Sequence, residues 1–214
     1  MKACKRRATK PQAKSGQKNP KEGSSVDCKK ETMDENISGE AKKEAVKRTV
    51  TMQGRPMALV GEEIKVGMTA PDFKVTANDM LPMKFSRTYG GKVAVISAVP
   101  SLDTPTCDLQ TRRFNKEAEA LGPDVGVLTI SMDLPFAQKR WCGAAGVKAV
   151  RTFSDYQKAD FGKSWGILIK DLRLLARAVF IVDKDGIVKY VQLVPEVSKE
   201  PNYDEVLTAL RALV

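Results

Sequence analysis

The run Val93-Ala94-Val95-Ile96-Ser97-Ala98-Val99-Pro100-Ser101-Leu102-Asp103-Thr104-Pro105-Thr106-Cys107 joins a short β-branched stretch to a polar loop that ends in a cysteine. Val93–Val99 has the length and composition of a strand buried on both faces. Downstream, Phe114, Ala118 and Leu121 recur at helical spacing, which predicts a helix over 105–121. Cys107 therefore stands just past a buried strand and just inside a helix. Working outward, Val125–Ile130 predicts a second buried strand and Pro135–Ala145 a short helix, with Asp133 placed to cap it and Pro135 in its first turn. Before the central run, Val50 and Met52, Gly54-Arg55-Pro56, and Met57, Leu59 and Val60 predict a short hairpin. Pro71-Asp72-Phe73 leads into a strand near Lys74–Ala77. After it, Ala178–Val182 and Ile187–Leu193 flank the turn Asp183-Lys184-Asp185-Gly186, and 202–213 predict a closing amphipathic helix. Strand–helix–strand units followed by a hairpin and a helix point to an α/β fold with a mixed central sheet flanked by helices.

Composition narrows the function. The chain has 214 residues and a formal charge of +10. Residues 1–48 hold 14 Lys and Arg against 7 Asp and Glu, so seven of those ten charges lie there and the rest is nearly balanced. This segment has almost no large apolar side chains and reads as a disordered basic extension preceding a domain at 49–214. Its charges are not interleaved with aromatics that could stack on bases, which argues against nucleic acid as a partner. No apolar run approaches the roughly 20 residues that span a bilayer. The basic N-terminus is not followed by the apolar region of a secretory signal. There is no histidine, which excludes Ser-His-Asp and Cys-His nucleophile activation and His-containing metal sites. The four cysteines, Cys4, Cys28, Cys107 and Cys142, form no CxxC pair, which argues against a zinc ribbon or a thioredoxin-type redox motif.

The position of Cys107 suits reactivity. A helix N-terminus presents N–H groups without intrahelical acceptors and the positive end of the dipole, and both stabilise a thiolate. A thiolate can attack a peroxide O–O bond and become a sulfenic acid. Position alone leaves open that Cys107 is a small buried hydrophobe. Thr104 alone could be a turn residue, Pro100 a strand terminator, and Arg177 a partner of a structural acid. Cys142 could be a packed helix cysteine, and Trp141 and Trp165 core residues.

The loop from Pro100 to Cys107 fits the pattern PxxxTxxC, and with it the chain resembles the thiol peroxidases, the atypical two-cysteine peroxiredoxins. The resemblance runs from about Arg48 to Val214. It is carried by VGMTAPDF near the start, SLDTPTCDLQTRRFN around Cys107, SMDLPFAQKRWCGAAG around Cys142 and LARAVFIVD around Arg177. It implies a thioredoxin-like fold and reduction of hydrogen peroxide or organic hydroperoxides, with thioredoxin as reductant and no cofactor. It further implies a homodimer, and the cytoplasm is the expected compartment. Position by position, it makes Cys107 the peroxidatic cysteine and Cys142 the resolving cysteine of an intramolecular disulfide. Thr104 becomes the hydroxyl that holds peroxide and thiolate, Pro100 the shield against water, and Arg177 the cation that stabilises the developing anion. Gly143 and Gly146 would ease unwinding around Cys142. Cys4 and Cys28 match nothing in the pattern. A redox sensor would use the same cysteines.

Overall fold

A computed structural model of the chain describes residues 48–122 and 124–214; the expected disordered extension, Arg48 apart, lies outside the described residues. The elements run β1 (Thr49–Met52), β2 (Arg55–Val60), β3 (Lys74–Ala77), β4 (Pro82–Lys84), α1 (Phe85–Tyr89), β5 (Val93–Ala98), α2 (Pro105–Glu119), β6 (Val125–Ser131), α3 (Pro135–Ala145), β7 (Arg151–Ser154), α4 (Asp160–Ser164), β8 (Leu168–Ile169), β9 (Leu174–Leu175), β10 (Ala178–Val182), β11 (Val188–Leu193) and α5 (Tyr203–Arg211). Seven strands form a mixed sheet in the order β11-β10-β5-β6-β7-β3-β4. The pairs β5·β6 and β6·β7 are parallel; the others are antiparallel. A smaller sheet, β1-β2-β8-β9, contains the predicted N-terminal hairpin.

Strand β5 reads as apolar throughout because both of its faces are covered. Ala94, Ile96 and Ala98 join a core with Phe85 and Tyr89 of α1 and Phe161 of α4. Val93 and Val95 join a second core with Phe114 of α2 and Tyr203, Val206 and Leu210 of α5. Period-2 alternation thus sends successive residues into two different cores. A third cluster, Val99, Leu102, Cys107 and Trp141, lies where the β5–α2 loop meets α3. The architecture is the expected thioredoxin-like arrangement.

The sequence reading does not foresee the short elements β4, α1, β7, α4, β8 and β9, and it differs from the structure in the role of Asp133. Asp133 does not cap α3: Leu134 holds the N-cap position and no side chain caps the helix. Asp133 Oδ2 instead accepts hydrogen bonds from the Leu102 N–H at 2.7 Å and the Ser131 hydroxyl at 2.8 Å. A charged acceptor here satisfies a loop N–H from 31 residues away and so fixes the β5–α2 loop against the end of β6. Among the short elements, β7 and α4 have no apolar periodicity long enough to announce them. Strand β7 is held by parallel pairing to β6. The short α4 is held by Asp155, whose carboxylate accepts from the N–H groups of Phe161 at 3.2 Å and Gly162 at 2.8 Å; burial pushes its carboxyl up to about 6.

The largest fully buried side chain is Trp165. Its ring meets Phe180 edge-on at 4.8 Å, with Phe161 at 5.5 Å and Phe73 at 6.0 Å, and its indole N–H donates to the Pro71 carbonyl. Replacing Trp165 by Ala should lower unfolding stability by about 3–5 kcal/mol, read as a fall in the urea midpoint with little change in slope.

Candidate active site

Pro105 occupies the first turn of α2, where its missing N–H is no loss. Thr104 is the N-cap, but its side chain makes no capping bond. Its hydroxyl lies 2.8 Å from Cys107 Sγ and 3.0 Å from the Ser101 carbonyl oxygen. A hydroxyl carries one proton and two lone pairs. It can therefore donate to Ser101 while accepting from a protonated Cys107, or turn that proton to a thiolate. Cys107 is fully buried, in the turn of α2 whose N–H groups lack intrahelical acceptors. Pro100, at the start of the loop, is also buried.

Arg177 directly precedes β10 and is 1% exposed. Each nitrogen of its guanidinium has a partner: Nε donates to the Val197 carbonyl at 2.9 Å, Nη1 to Gln110 Oε1 at 2.5 Å and Nη2 to Cys107 Sγ at 3.3 Å. Among the described residues no ion pair joins Arg177 to a carboxylate. Burying an unpaired cation is costly. The group in contact with the guanidinium that can become an anion is the Cys107 sulfur. This geometry disfavours the bland reading in which Arg177 serves a structural acid.

The structure thus brings Thr104 and Arg177 each into direct contact with Cys107 and sets Pro100 at the start of the loop that leads to it. Cys142 packs against the cluster that holds Cys107 but forms no disulfide with it. Both thiols are free, and Cys142 Sγ lies 3.2 Å from Thr152 Oγ1 on β7. Trp141, 8% exposed, packs in the same cluster as Cys107, in keeping with a core role. Arg113 stacks over Tyr203 at 4.1 Å, and Asp103 pairs with Arg140; neither touches the thiol.

Sequence reasoning missed Gln110. It is fully buried, and its amide bridges Arg177 and the Ser97 hydroxyl, to which Nε2 donates at 2.8 Å. The signal was present: Cys107, Gln110 and Phe114 lie at i, i+3 and i+7 of one inward face. Following only the apolar members of that face hid the polar one. Also missed was the loop after β11. Val197 supplies the Arg177 acceptor, and Thr106 Oγ1 donates to the Ser198 carbonyl. Glu196 anchors this loop to the N-terminal hairpin, accepting from the Thr51 hydroxyl at 2.8 Å, the Gln53 and Gly54 N–H groups and the Ser198 hydroxyl. The Ser198 and Thr51 hydroxyls, helped by the Gly54 N–H, hold its carboxyl down at about 2.

Comparison with known proteins gives a consistent picture. The redoxin family model matches residues 65–207. A thiol peroxidase of Bacillus subtilis is 53% identical over 165 residues, covering 77% of this chain and 98% of that protein. A thiol peroxidase of Oceanobacillus iheyensis is 55% identical over 161 residues, covering 75% of this chain and 97% of that protein. Among solved structures, a peroxiredoxin-like protein from Aquifex aeolicus superposes with a TM-score of 0.73 at 45% identity, over 78% of this chain and 98% of that one.

Arg177→Met should slow the first oxidation of Cys107 by on the order of 10²-fold, since one preorganised cationic donor is lost, as read by stopped-flow with hydrogen peroxide. An unchanged rate would make Arg177 purely structural. Glu196 supplies a pH test. Its folded carboxyl titrates below its ordinary value of 4.5, so its stabilising contribution is complete above that value and fades as pH falls toward 2. The difference in urea midpoint between wild type and Glu196→Gln should be largest at neutral pH and should close across that acid window.

Proposed function

The chain belongs to the redoxin family and is an enzyme, a peroxiredoxin of the thiol peroxidase kind; within that activity we propose that Cys107 reduces hydroperoxides and that Cys142 resolves the product as an intramolecular disulfide recycled by thioredoxin. The observation that carries the reading is the buried Cys107 sulfur held between the Thr104 hydroxyl and the Arg177 guanidinium.

In the first step the Cys107 thiolate attacks one oxygen of the O–O bond. The S–O bond forms, the O–O bond breaks, and the leaving oxygen departs with both bonding electrons and takes a proton to become water or an alcohol. Negative charge moves from sulfur to that oxygen. Arg177, the first-turn N–H groups of α2 and the Thr104 hydroxyl are already ordered, so they meet this charge without reorganising. Arginine suits the role because it stays charged at any working pH and reaches several acceptors at once. Pro100 helps to close the pocket to water. In the second step the Cys142 sulfur attacks the Cys107 sulfenic sulfur; the S–S bond forms, the S–O bond breaks, and hydroxide leaves as water with the proton from Cys142. A dithiol reductant, thioredoxin in this reading, then exchanges with the disulfide and restores both thiols. The cycle uses no metal, haem or flavin.

We extend the reading to a homodimer working in the cytoplasm, where thiols are kept reduced between turnovers. Among the described residues no helix is long and apolar enough to cross a membrane. Residues 49–214 form the whole catalytic unit in this proposal, since the matched segment covers 97–98% of the length of the two thiol peroxidases above.

Cys107→Ser should abolish turnover in a thioredoxin-coupled assay following NADPH loss with hydrogen peroxide and organic hydroperoxides. Cys142→Ser should leave the first oxidation fast, strand the sulfenic acid and reduce coupled turnover sharply. One equivalent of peroxide should convert the wild type to an internal Cys107–Cys142 disulfide, seen by peptide mapping and as a monomeric band without reductant. A mainly interchain product would remove Cys142 from its assigned role. Deleting residues 1–47 should leave activity and thermal stability nearly unchanged; a large loss of either would refute the domain assignment.

A further inference from the structure

We propose that Asp108 and Arg112 of α2 act as positioning residues, a clasp that holds the Cys142-bearing half of α3 closed and sets the rate at which the disulfide forms. The inference rests on the reading of Cys142 as the resolving cysteine.

The geometry begins with the separation of the two thiols. The pocket of Cys107 is anchored through Gln110 to Ser97 on β5, whereas Cys142 Sγ rests on Thr152 of β7. In the sheet Ser97 pairs with Thr129, and Thr129 with Thr152. The two anchors thus stand two strands apart, about 10 Å at the usual strand spacing. A disulfide needs its Cα atoms within about 7 Å and both sulfurs free to turn toward each other. Cys142 must therefore leave Thr152 before it can reach Cys107.

Besides the contacts at its sulfur, the helix that carries Cys142 is held from α2. Asp108 follows Cys107 directly. Its Oδ1 accepts the Trp141 indole N–H at 3.0 Å, and its carboxylate accepts Arg112 Nε at 2.9–3.0 Å. Arg112 Nη1 in turn donates to the carbonyl of Ala145, the last residue of α3, at 2.9 Å, and its guanidinium lies over the Trp141 ring at 5.8 Å. One carboxylate–guanidinium unit therefore grips α3 on both sides of Cys142, at 141 and at 145.

The ends of the releasable segment are defined by other buried groups. Upstream, Gln138 is fully buried and donates to the Ser131 hydroxyl and the Phe153 carbonyl, which fixes the first half of α3 to the sheet. Downstream, Asn115 Oδ1 accepts from the N–H groups of Lys148, Ala149 and Val150 at 2.8–3.1 Å. Between these anchors lie residues 139–147. They include Gly143 and Gly146, and Gly146 already has φ of 68° as the left-handed end of the helix. The clasp is the tie that spans this interval from α2, and its arginine side chain is 46% exposed, so it can open without unpacking a core.

The clasp thereby tunes a competition. While it is shut, Cys142 cannot reach the sulfenic acid, and a second peroxide can carry Cys107 on to the sulfinic acid. When it opens, the disulfide forms and Cys107 is protected.

The test uses the full-length protein and rapid quenching with peroxide, followed by mass spectrometry of thiol, sulfinic and disulfide forms. In Arg112→Ala and Trp141→Phe the disulfide step should accelerate by about 10-fold, the size expected for losing a partly exposed charge-assisted contact, while the first oxidation keeps its rate. The peroxide dose that yields sulfinic acid should rise in parallel. Amide exchange in the reduced protein should quicken at 141–147 and stay unchanged at 148–150, a pattern a general loss of stability would not give. Arg112→Lys, which can still pair with Asp108 but lacks the second arm for Ala145, should fall in between, and it decides the question if Arg112→Ala does not fold. Folded variants whose disulfide step is unchanged or slower overturn the clasp alone. A wild type that forms no Cys107–Cys142 disulfide overturns the resolving role of Cys142 and the clasp with it.

Discussion

The molecule is organised around one buried guanidinium. Arg177 is 1% exposed, yet among the described residues no carboxylate pairs with it. Its Nε and Nη1 donate to neutral acceptors, the Val197 carbonyl and the Gln110 amide, and Nη2 donates to the Cys107 sulfur. Such an arrangement holds only if every acceptor is fixed from elsewhere. Gln110 is fixed by Ser97 on β5. Val197 is fixed by a loop that Glu196 ties to the N-terminal hairpin, so β1 and β2, distant in sequence, brace the surroundings of Cys107. Asp133 fixes the β5–α2 loop through the Leu102 N–H.

Much of the fold was legible because local pattern and tertiary demand agreed. The β-branched run of β5 is buried on both faces, and the 3.6-residue period of α2 meets the sheet with Phe114 as expected. Legibility failed where long-range partners decide. Asp133 looks like a helix cap because it precedes Pro135 closely, but a loop N–H on another element competes successfully for its carboxylate. Strand β7 is four residues long and exists because β6 offers a parallel edge. Nothing within Arg151–Ser154 encodes that neighbour.

The site divides in the same way. Cys107, Thr104 and Pro100 share one eight-residue segment, so a single motif displays them together. Arg177 lies 70 residues from Cys107 and is reached only through resemblance or structure. Gln110 sits three residues past Cys107 and was hidden by its polarity, since a search for a core face passes over amides. It is the neutral amide that allows a cation to be buried without a carboxylate. A glutamate there would pair with Arg177 and compete with the sulfur for its charge.

That competition would, in the proposed cycle, couple oxidation to loosening. In the proposed cycle, the thiolate is the only anion against the guanidinium. Once Cys107 becomes a neutral sulfenic acid, Arg177 is left with neutral acceptors, and a buried cation without an anion is destabilised relative to one that has it. The Thr104 hydroxyl loses its charged acceptor in the same event. In that cycle the first turn of α2 would be held most firmly before oxidation and less firmly afterwards. Asp108 lies in that turn, and through it α2 grips α3. In the proposed cycle, loss of charge at the sulfur would thus weaken the base on which the grip on α3 is built, at the moment when Cys142 would have to move.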